Sequence, residues 1–259
     1  MKKIFLTLFS IGCIACIPIK QSTIDITLQT KVDSILQNKM SEIGAISGQA
    51  IVMDMIGNIK AMVGNGKKQS SSLMRAVSIH KALETGKITL SDTIDTGNGV
   101  LVFNDDTIFD HNWHRGGYGK ITLKKALACE SEIAVRKALQ IAGIEAVDSL
   151  VTPLEMLKLF NGIIKNDSLK SAFRYCITDG LGKQASSDKV EVAGLSGRNI
   201  VSKDNPEKPE YAVEFIGYFP ADAPKYSIIV SMNKKGLPAS GGLMAGSVFK
   251  DIVDCMAAK

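Results

Sequence analysis

The chain has 259 residues, 31 of them Lys or Arg and 26 Asp or Glu, for a formal net charge of +5. Hydrophobic residues make up 45% and charged residues 22%, the composition of a folded globular protein, which excludes a disordered chain; the length suits one substantial domain or two small ones. No run of Lys and Arg is dense enough to line a nucleic-acid groove, so nucleic acid is excluded as a partner.

Lys2 and Lys3 precede an apolar run from Ile4 to Phe9 that resumes at Ile11 and reaches Ile14, a positive stretch and a short hydrophobic core in the order of an export signal. It falls short of the roughly 20 apolar residues needed to cross a bilayer. Residues 1–20 are read as this signal and 21–259 as one domain. Gly12-Cys13 and Ala15-Cys16 place a small residue before cysteine, as lipoprotein signals do, but neither has a Leu three positions upstream. A lipid anchor at Cys13 or Cys16 and a plain cleaved leader both stand. Cys129, Cys176 and Cys255 are too few and too scattered for a disulfide framework or a zinc site and read as buried free thiols.

Residues 24–42 predict a helix from the recurrence of Leu28, Val32, Ile35 and Leu36. Two apolar runs, 49–54 and 59–63, flank Gly57-Asn58 and predict a β-hairpin. A polar loop over 64–72 precedes a helix over 73–85 that Gly86 ends. Residues 91–120, rich in Gly, Asp and Asn, read mainly as loop, with one apolar run at 100–103. Helical patterning returns at 122–142, and Thr152-Pro153-Leu154-Glu155 carries three helix-start signals together. Strands follow at 211–218 and 226–232, then a closing amphipathic helix with Val248, Phe249, Ile252 and Met256. This order predicts an α+β domain, an antiparallel sheet flanked by helices, in which the first hairpin pairs with the last strands.

Several segments, in order, resemble the transpeptidase domain of penicillin-binding proteins, the β-lactamase-like fold. They are Ala50–Asp54 with Gly57–Val63, Leu83–Ile88 with Thr93–Gly97, Tyr118–Leu123 with Ala126-Leu127-Ala128, Val151–Glu155, and Phe215–Asp222 with Pro224-Lys225-Tyr226. The resemblance covers most of residues 45–254 and implies an envelope location and peptidoglycan chemistry.

It also implies three catalytic motifs, and each departs from the family pattern here. Ser-x-x-Lys at a helix start, where Lys takes the proton of the nucleophilic Ser, falls on Ser72-Leu73-Met74-Arg75. Arginine stays protonated, with a pKa above about 12, and cannot act as that base. Ser-x-Asn falls on Glu130-Ser131-Glu132, with carboxylates at both functional positions and Ser131 at the middle position, which does not face the reaction. Lys-Thr-Gly, on the edge strand that pairs with the peptide substrate, falls on Leu195-Ser196-Gly197. Ser196 retains a hydrogen-bond donor and Gly197 a close approach; the backbone amides of Ser72 and Arg198 are the implied oxyanion hole. The stretch from Glu132 to Leu195 is shorter than the family usually carries.

These departures predict a domain without acyl-transfer activity that binds a cell-wall component or an envelope protein, with Arg75 paired to Glu130 or Glu132 and filling the cleft. Ser72 then serves as a helix cap, while solvated surface positions remain open for the two glutamates. Two other readings stand beside it. One is an active serine acyl-enzyme, a DD-transpeptidase, carboxypeptidase or β-lactam-binding protein, using Ser72 with Glu130 as an unusual base, or using the rival register Ser78-Ile79-His80-Lys81. The other is a metal-binding protein using His111 and His114 with Asp110 beside them, two histidines without a clear third ligand, in a loop whose Trp113 and Tyr118 could instead form a recognition surface. No cofactor is implied: Gly64-Asn65-Gly66-Lys67-Lys68 lacks the spacing and the Ser or Thr of a phosphate loop.

Overall fold

The computed structural model of the chain describes residues 23–103, 106–147 and 149–258, so the leader and its Cys13 and Cys16 lie outside the described residues. The chain opens with α1 (Ile26–Ile43), capped by Asp25 at one end and by the left-handed Gly44 at the other. A hairpin of β1 (Ala45–Asp54) and β2 (Ile59–Gly64) follows, then the two-residue strand β3 (Gln69–Ser70) and the helix α2 (Met74–Glu84). The Gly- and Asp-rich stretch is more ordered than its composition predicts. It forms β4 (Thr93–Asp95), the hairpin β5 (Val100–Phe103) and β6 (Asp106–Phe109), and β7 (Lys120–Thr122), which returns to pair with β4.

The single helical pattern at 122–142 is two helices, α3 (Leu123–Ala128) and α4 (Glu132–Ala142). The break falls at Glu130, whose φ of +58° lies in the left-handed region that few non-glycine residues adopt. A short β8 (Leu150–Val151) pairs with β3, which pins the supposed loop before α2. Helix α5 (Pro153–Ile163) starts at a full capping box: Glu155 N donates to Thr152 Oγ1 at 3.2 Å, and Thr152 N donates to Glu155 Oε2 at 2.8 Å. Helix α6 (Lys170–Thr178), not evident from the sequence pattern, precedes three long strands, β9 (Ala193–Ser202), β10 (Glu210–Phe219) and β11 (Tyr226–Lys235). A π-helical turn, Gly241–Ala245, leads into the closing helix α7 (Gly246–Ala257). Among the described residues, no helix is long and apolar enough to cross a membrane.

The main sheet runs β2-β1-β11-β10-β9, antiparallel throughout, so the first hairpin does pair with the last strands. Its strands alternate between two cores, as a sheet covered on both faces must. Val213, Phe215, Val230 and Val52 face α1 and α7, where Phe249 stacks on Phe215 with ring centroids 4.8 Å apart. Ile51, Leu195, Ile216 and Ile229 face the helical lobe of α2 to α6, where Phe160, Phe173 and Tyr218 form a buried aromatic cluster. Toward one end of that second face the apolar side chains give way to a polar row. Gly197, Glu214, Ser231 and Gln49 are cross-strand neighbours there, and the N-terminus of α2 sits over them.

Candidate functional site

The turn that leads into α2 is held by Ser71. Its Oγ donates to Glu214 Oε2 at 2.6 Å and accepts from Leu73 N at 3.3 Å. Ser72 is therefore not the helix cap that the sequence predicts. Its Oγ is turned toward β9, shielded from solvent, and meets no hydrogen-bond partner among the described residues. Gly197 makes room for it, since a Cβ on that residue would come within 2.6 Å of Ser72 Oγ. The rival Ser78 lies inside α2, donating to Met74 O at 3.3 Å and accepting from Val147 N at 2.9 Å, while Lys81 is exposed. Both functions of the Ser78 hydroxyl are occupied by backbone, as a mid-helix structural serine requires.

Arg75 does not pair with Glu130 or Glu132. Its guanidinium, on a residue only 7% exposed, donates to three backbone carbonyls: Ser72 O at 2.8 Å, Ser196 O at 2.5 Å and Leu127 O at 3.4 Å. Geometry explains the difference. The fixed fork of donors spans the first turn of α2, the end of α3 and strand β9, three places where carbonyls converge and need donors. The glutamates find nearer partners: Glu132 reaches one turn along its own helix to Arg136 at 3.4 Å, and Glu130 Oε1 accepts from Ser196 Oγ at 2.5 Å. Arg75 is thus a clamp between three elements, with no lone pair to offer a hydroxyl proton.

The left-handed backbone at Glu130 swings its side chain and that of Glu132 to one side and Ser131 to the other. Ser131 is fully buried, caps α4 through Ala134 N at 3.1 Å, and donates to Asp110 Oδ2 at 2.8 Å. Asp110, also fully buried, accepts from Ile133 N at 3.2 Å, so it serves the α4 N-terminus and stands apart from a metal site. Among the described residues no three His, Cys, Asp or Glu side chains group to hold a metal ion. Tyr118, half-buried, turns inward, its hydroxyl donating to Cys129 O at 3.2 Å and lying 3.0 Å from His111 Nδ1; of the expected recognition pair only Trp113 is exposed. Cys129 and Cys176 are buried free thiols, and burial pushes Cys129 up to about 11; Cys255 is half-buried.

Ser72, Arg75, Glu130, Glu132 and Arg198 line one cavity of about 270 Å³, into which His111 also projects from the end of the β5–β6 hairpin. An adjoining cavity of about 190 Å³ shares His111, Glu130 and Arg198 and is closed by Ala239, Ser240 and Gly241. Leu195 is fully buried in the core beneath, and among the described residues no lysine lines either cavity. Partial burial holds His111 below the ordinary imidazole range, against an opposing pull from Glu130, so the ring adds little positive charge. A larger depression of about 570 Å³, between Leu83, Thr89 and Lys124, holds none of these groups.

Beneath the cleft lies a carboxyl that no motif points to. Glu214, 2% exposed, accepts from Ser71 Oγ at 2.6 Å and from Ser231 Oγ at 3.0 Å. Burial raises its pKa above 4.5, opposed by those two hydroxyls and by the charge of Arg75. Below about pH 4.5 the group is neutral in the folded and unfolded chain and costs nothing; as pH rises further, the unfolded chain ionises first and stability falls until the folded group ionises too. Glu214→Gln is therefore expected to leave Tm unchanged near pH 4 and to raise it near pH 8 by about 2–4 °C, on the order of 1 kcal/mol. Thermal melts at the two pH values check this, and a larger gain at pH 4 than at pH 8 would contradict it.

Asn199 and Phe109 also border the cleft without having been singled out as site residues, and His111, offered by the sequence only as a metal ligand, joins them, because the segment that carries Phe109 and His111 and was read as loop folds over the site. Glu214 was missed because it sits inside an apolar strand. A lone carboxylate in the run Ala212-Val213-Glu214-Phe215-Ile216 is the one signal that could have found it.

By sequence, no family model and no curated protein matches the chain. By structure it is similar to a peptidoglycan glycosyltransferase from Burkholderia ambifaria, with TM-score 0.75, 18% identity, and coverage of 92% of this chain and 97% of that one. It is similar to the TP domain of penicillin-binding protein 3 from Burkholderia pseudomallei, with TM-score 0.78, 17% identity, and coverage of 92% and 96%. Penicillin-binding protein 3 from Mycobacterium tuberculosis aligns with TM-score 0.75 and 14% identity over 91% of this chain and 78% of that chain. The chain therefore has the α+β fold of the penicillin-binding-protein transpeptidase domain.

Proposed function

We propose that this is an exported envelope domain that has kept the transpeptidase fold and uses its cleft to bind a cell-wall component or an envelope protein, without acyl transfer. The observation that carries the reading is Arg75: the position implied for the base holds a buried cation whose guanidinium is committed to three backbone carbonyls. Ser72 Oγ, with no hydrogen-bond partner among the described residues, has no group poised to take its proton. The position implied for the lysine that attracts a substrate carboxylate is the buried Leu195, and the two Ser-x-Asn positions bring negative charge into the same cleft. Strand β9 ends the sheet beside this cleft, so an extended peptide has an edge to lie along. Likeness to penicillin-binding proteins and to a peptidoglycan glycosyltransferase makes peptidoglycan the first ligand to try. Residues 1–20 are the proposed export signal, with a lipid anchor at Cys13 or Cys16 as one form of it.

A labelled penicillin separates this reading from an active acyl-enzyme. The expected result is an intact-mass spectrum without an adduct after prolonged incubation. Arg75→Lys, which restores Ser-x-x-Lys, is expected to remain unlabelled as well, because Glu130, Glu132 and Leu195 are unchanged. A stoichiometric adduct on Ser72 in the unmodified protein would overturn the proposal.

A further inference from the structure

The two adjoining cavities share one feature. Glu130 and Arg198 line both of them, and the two side chains make no ion pair with each other. Arg198 is exposed and rests its guanidinium 5.9 Å from the ring centre of Tyr211; that side chain makes no hydrogen bond or ion pair among the described residues. Glu130 uses one oxygen to accept from Ser196 Oγ at 2.5 Å, which fixes the carboxylate without neutralising it. Its backbone is held at φ +58°, a conformation that costs free energy in a non-glycine residue and is sustained only where the surroundings enforce it. The remaining charges do not cancel this arrangement. Arg75 keeps its charge but is committed to carbonyls and lines only the larger cavity, Glu132 is paired with Arg136, and His111 is biased toward neutrality.

Among the described residues, Glu130 and Arg198 bring opposite charges to the smaller cavity with no ion pair to neutralise either, an arrangement complementary to a ligand carrying both charges. The smaller cavity, about 190 Å³ and bordered by Leu181, Ala239, Ser240 and Gly241, has room for a small ligand. We propose that the cleft binds a small zwitterion, a free amino acid or a dipeptide, its ammonium on the Glu130 carboxylate and its carboxylate on the Arg198 guanidinium. This inference rests on the reading of the cleft as a binding site and names the ligand class that the site would take. It reverses the recognition expected of a lysine-lined pocket, because an N-blocked peptide offering only a carboxylate would leave Glu130 facing a ligand with nothing to pair with it.

The test uses the full chain and three probes in calorimetric titrations at neutral pH and low salt: dialanine, N-acetyl-dialanine and dialanine amide. Dialanine is expected to bind, and each blocked analogue to bind about tenfold or more weakly, a loss of about 1.4 kcal/mol. Glu130→Gln, which keeps an acceptor for Ser196, is expected to weaken dialanine and leave N-acetyl-dialanine unchanged. Arg198→Gln is expected to weaken dialanine and leave the amide unchanged. Equal binding of all three probes by the unmodified protein, or no binding of dialanine at millimolar concentration, would overturn the inference. Tighter binding of N-acetyl-dialanine than dialanine would do so while sparing the proposed binding role. That role fails separately, through the penicillin adduct on Ser72.

Discussion

Arg75→Ala is expected to destabilise the domain by about 3–5 kcal/mol, from buried carbonyls left unsatisfied at about 1–3 kcal/mol each together with the lost packing. Three losses combine. The carbonyls of Leu127 and Ser196 lose this donor, and that of Ser72 keeps only the backbone N–H of residue 75 at 3.3 Å, in a site where water has little access because Arg75 is 7% exposed. The turn before α2, the end of α3 and the edge strand β9 lose the side chain that ties them together. Glu214, whose pKa Arg75 pulls down through space, keeps its burial and loses that attraction. Arg75→Lys retains the charge but offers a point ammonium in place of a planar fork, and is expected to cost about 1–3 kcal/mol. Urea unfolding with an unchanged m-value measures both. A loss below about 1 kcal/mol for the alanine variant would mean that the carbonyls find other donors and that Arg75 is no clamp.

Gly241→Ala is expected to cost at least about 3 kcal/mol, at the upper end for overpacking a filled site. A Cβ at this position would fall inside contact distance of the carbonyl oxygens of Gly197 and Glu214 and 2.8 Å from Gly197 N. These are backbone atoms of β9 and β10, paired to each other in the sheet, so neither can move aside as a side chain would. The variant is expected to melt about 6–12 °C lower or to be recovered in aggregates. Gly162→Ala is the control: its Cβ would meet nothing within 4 Å on the exposed face of α5, and Ala there is expected to add about 0.5–1 kcal/mol. Equal behaviour of the two variants would show that the π-helical turn is free to shift on the sheet.

The elements most legible in the sequence were those whose signals are local. The Gly57-Asn58 hairpin, the Thr152–Glu155 capping box and the amphipathic faces of α1 and α7 each depend on residues a few positions apart, and each formed where its pattern stood. The helix over 122–142 broke at Glu130 because its apolar spacing runs through the break, while the left-handed turn is imposed by Ser131 and Asp110 holding the start of α4. The strands β4 to β7 were hidden because Gly- and Asp-rich segments show no alternation, and their pairing is stabilised by partners up to a turn or a loop away.

The amino-acid sequence by itself determined the fold class and the order of its elements, through hydrophobic periodicity, and the residue types at the three motif positions that the resemblance to the transpeptidase family picks out. That a guanidinium replaces an amine at position 75 needs no coordinates. Only the tertiary structure decided what each charge does. Arg75 was drawn to three carbonyls and Glu130 to Ser196, while Arg198 came to rest on the Tyr211 ring, because these contacts depend on distances between elements that are remote in the chain; Glu132 was left to Arg136 on its own helix. The buried Glu214 under Ser71 shows the same thing: two residues 143 positions apart meet at 2.6 Å only once β10 lies under α2.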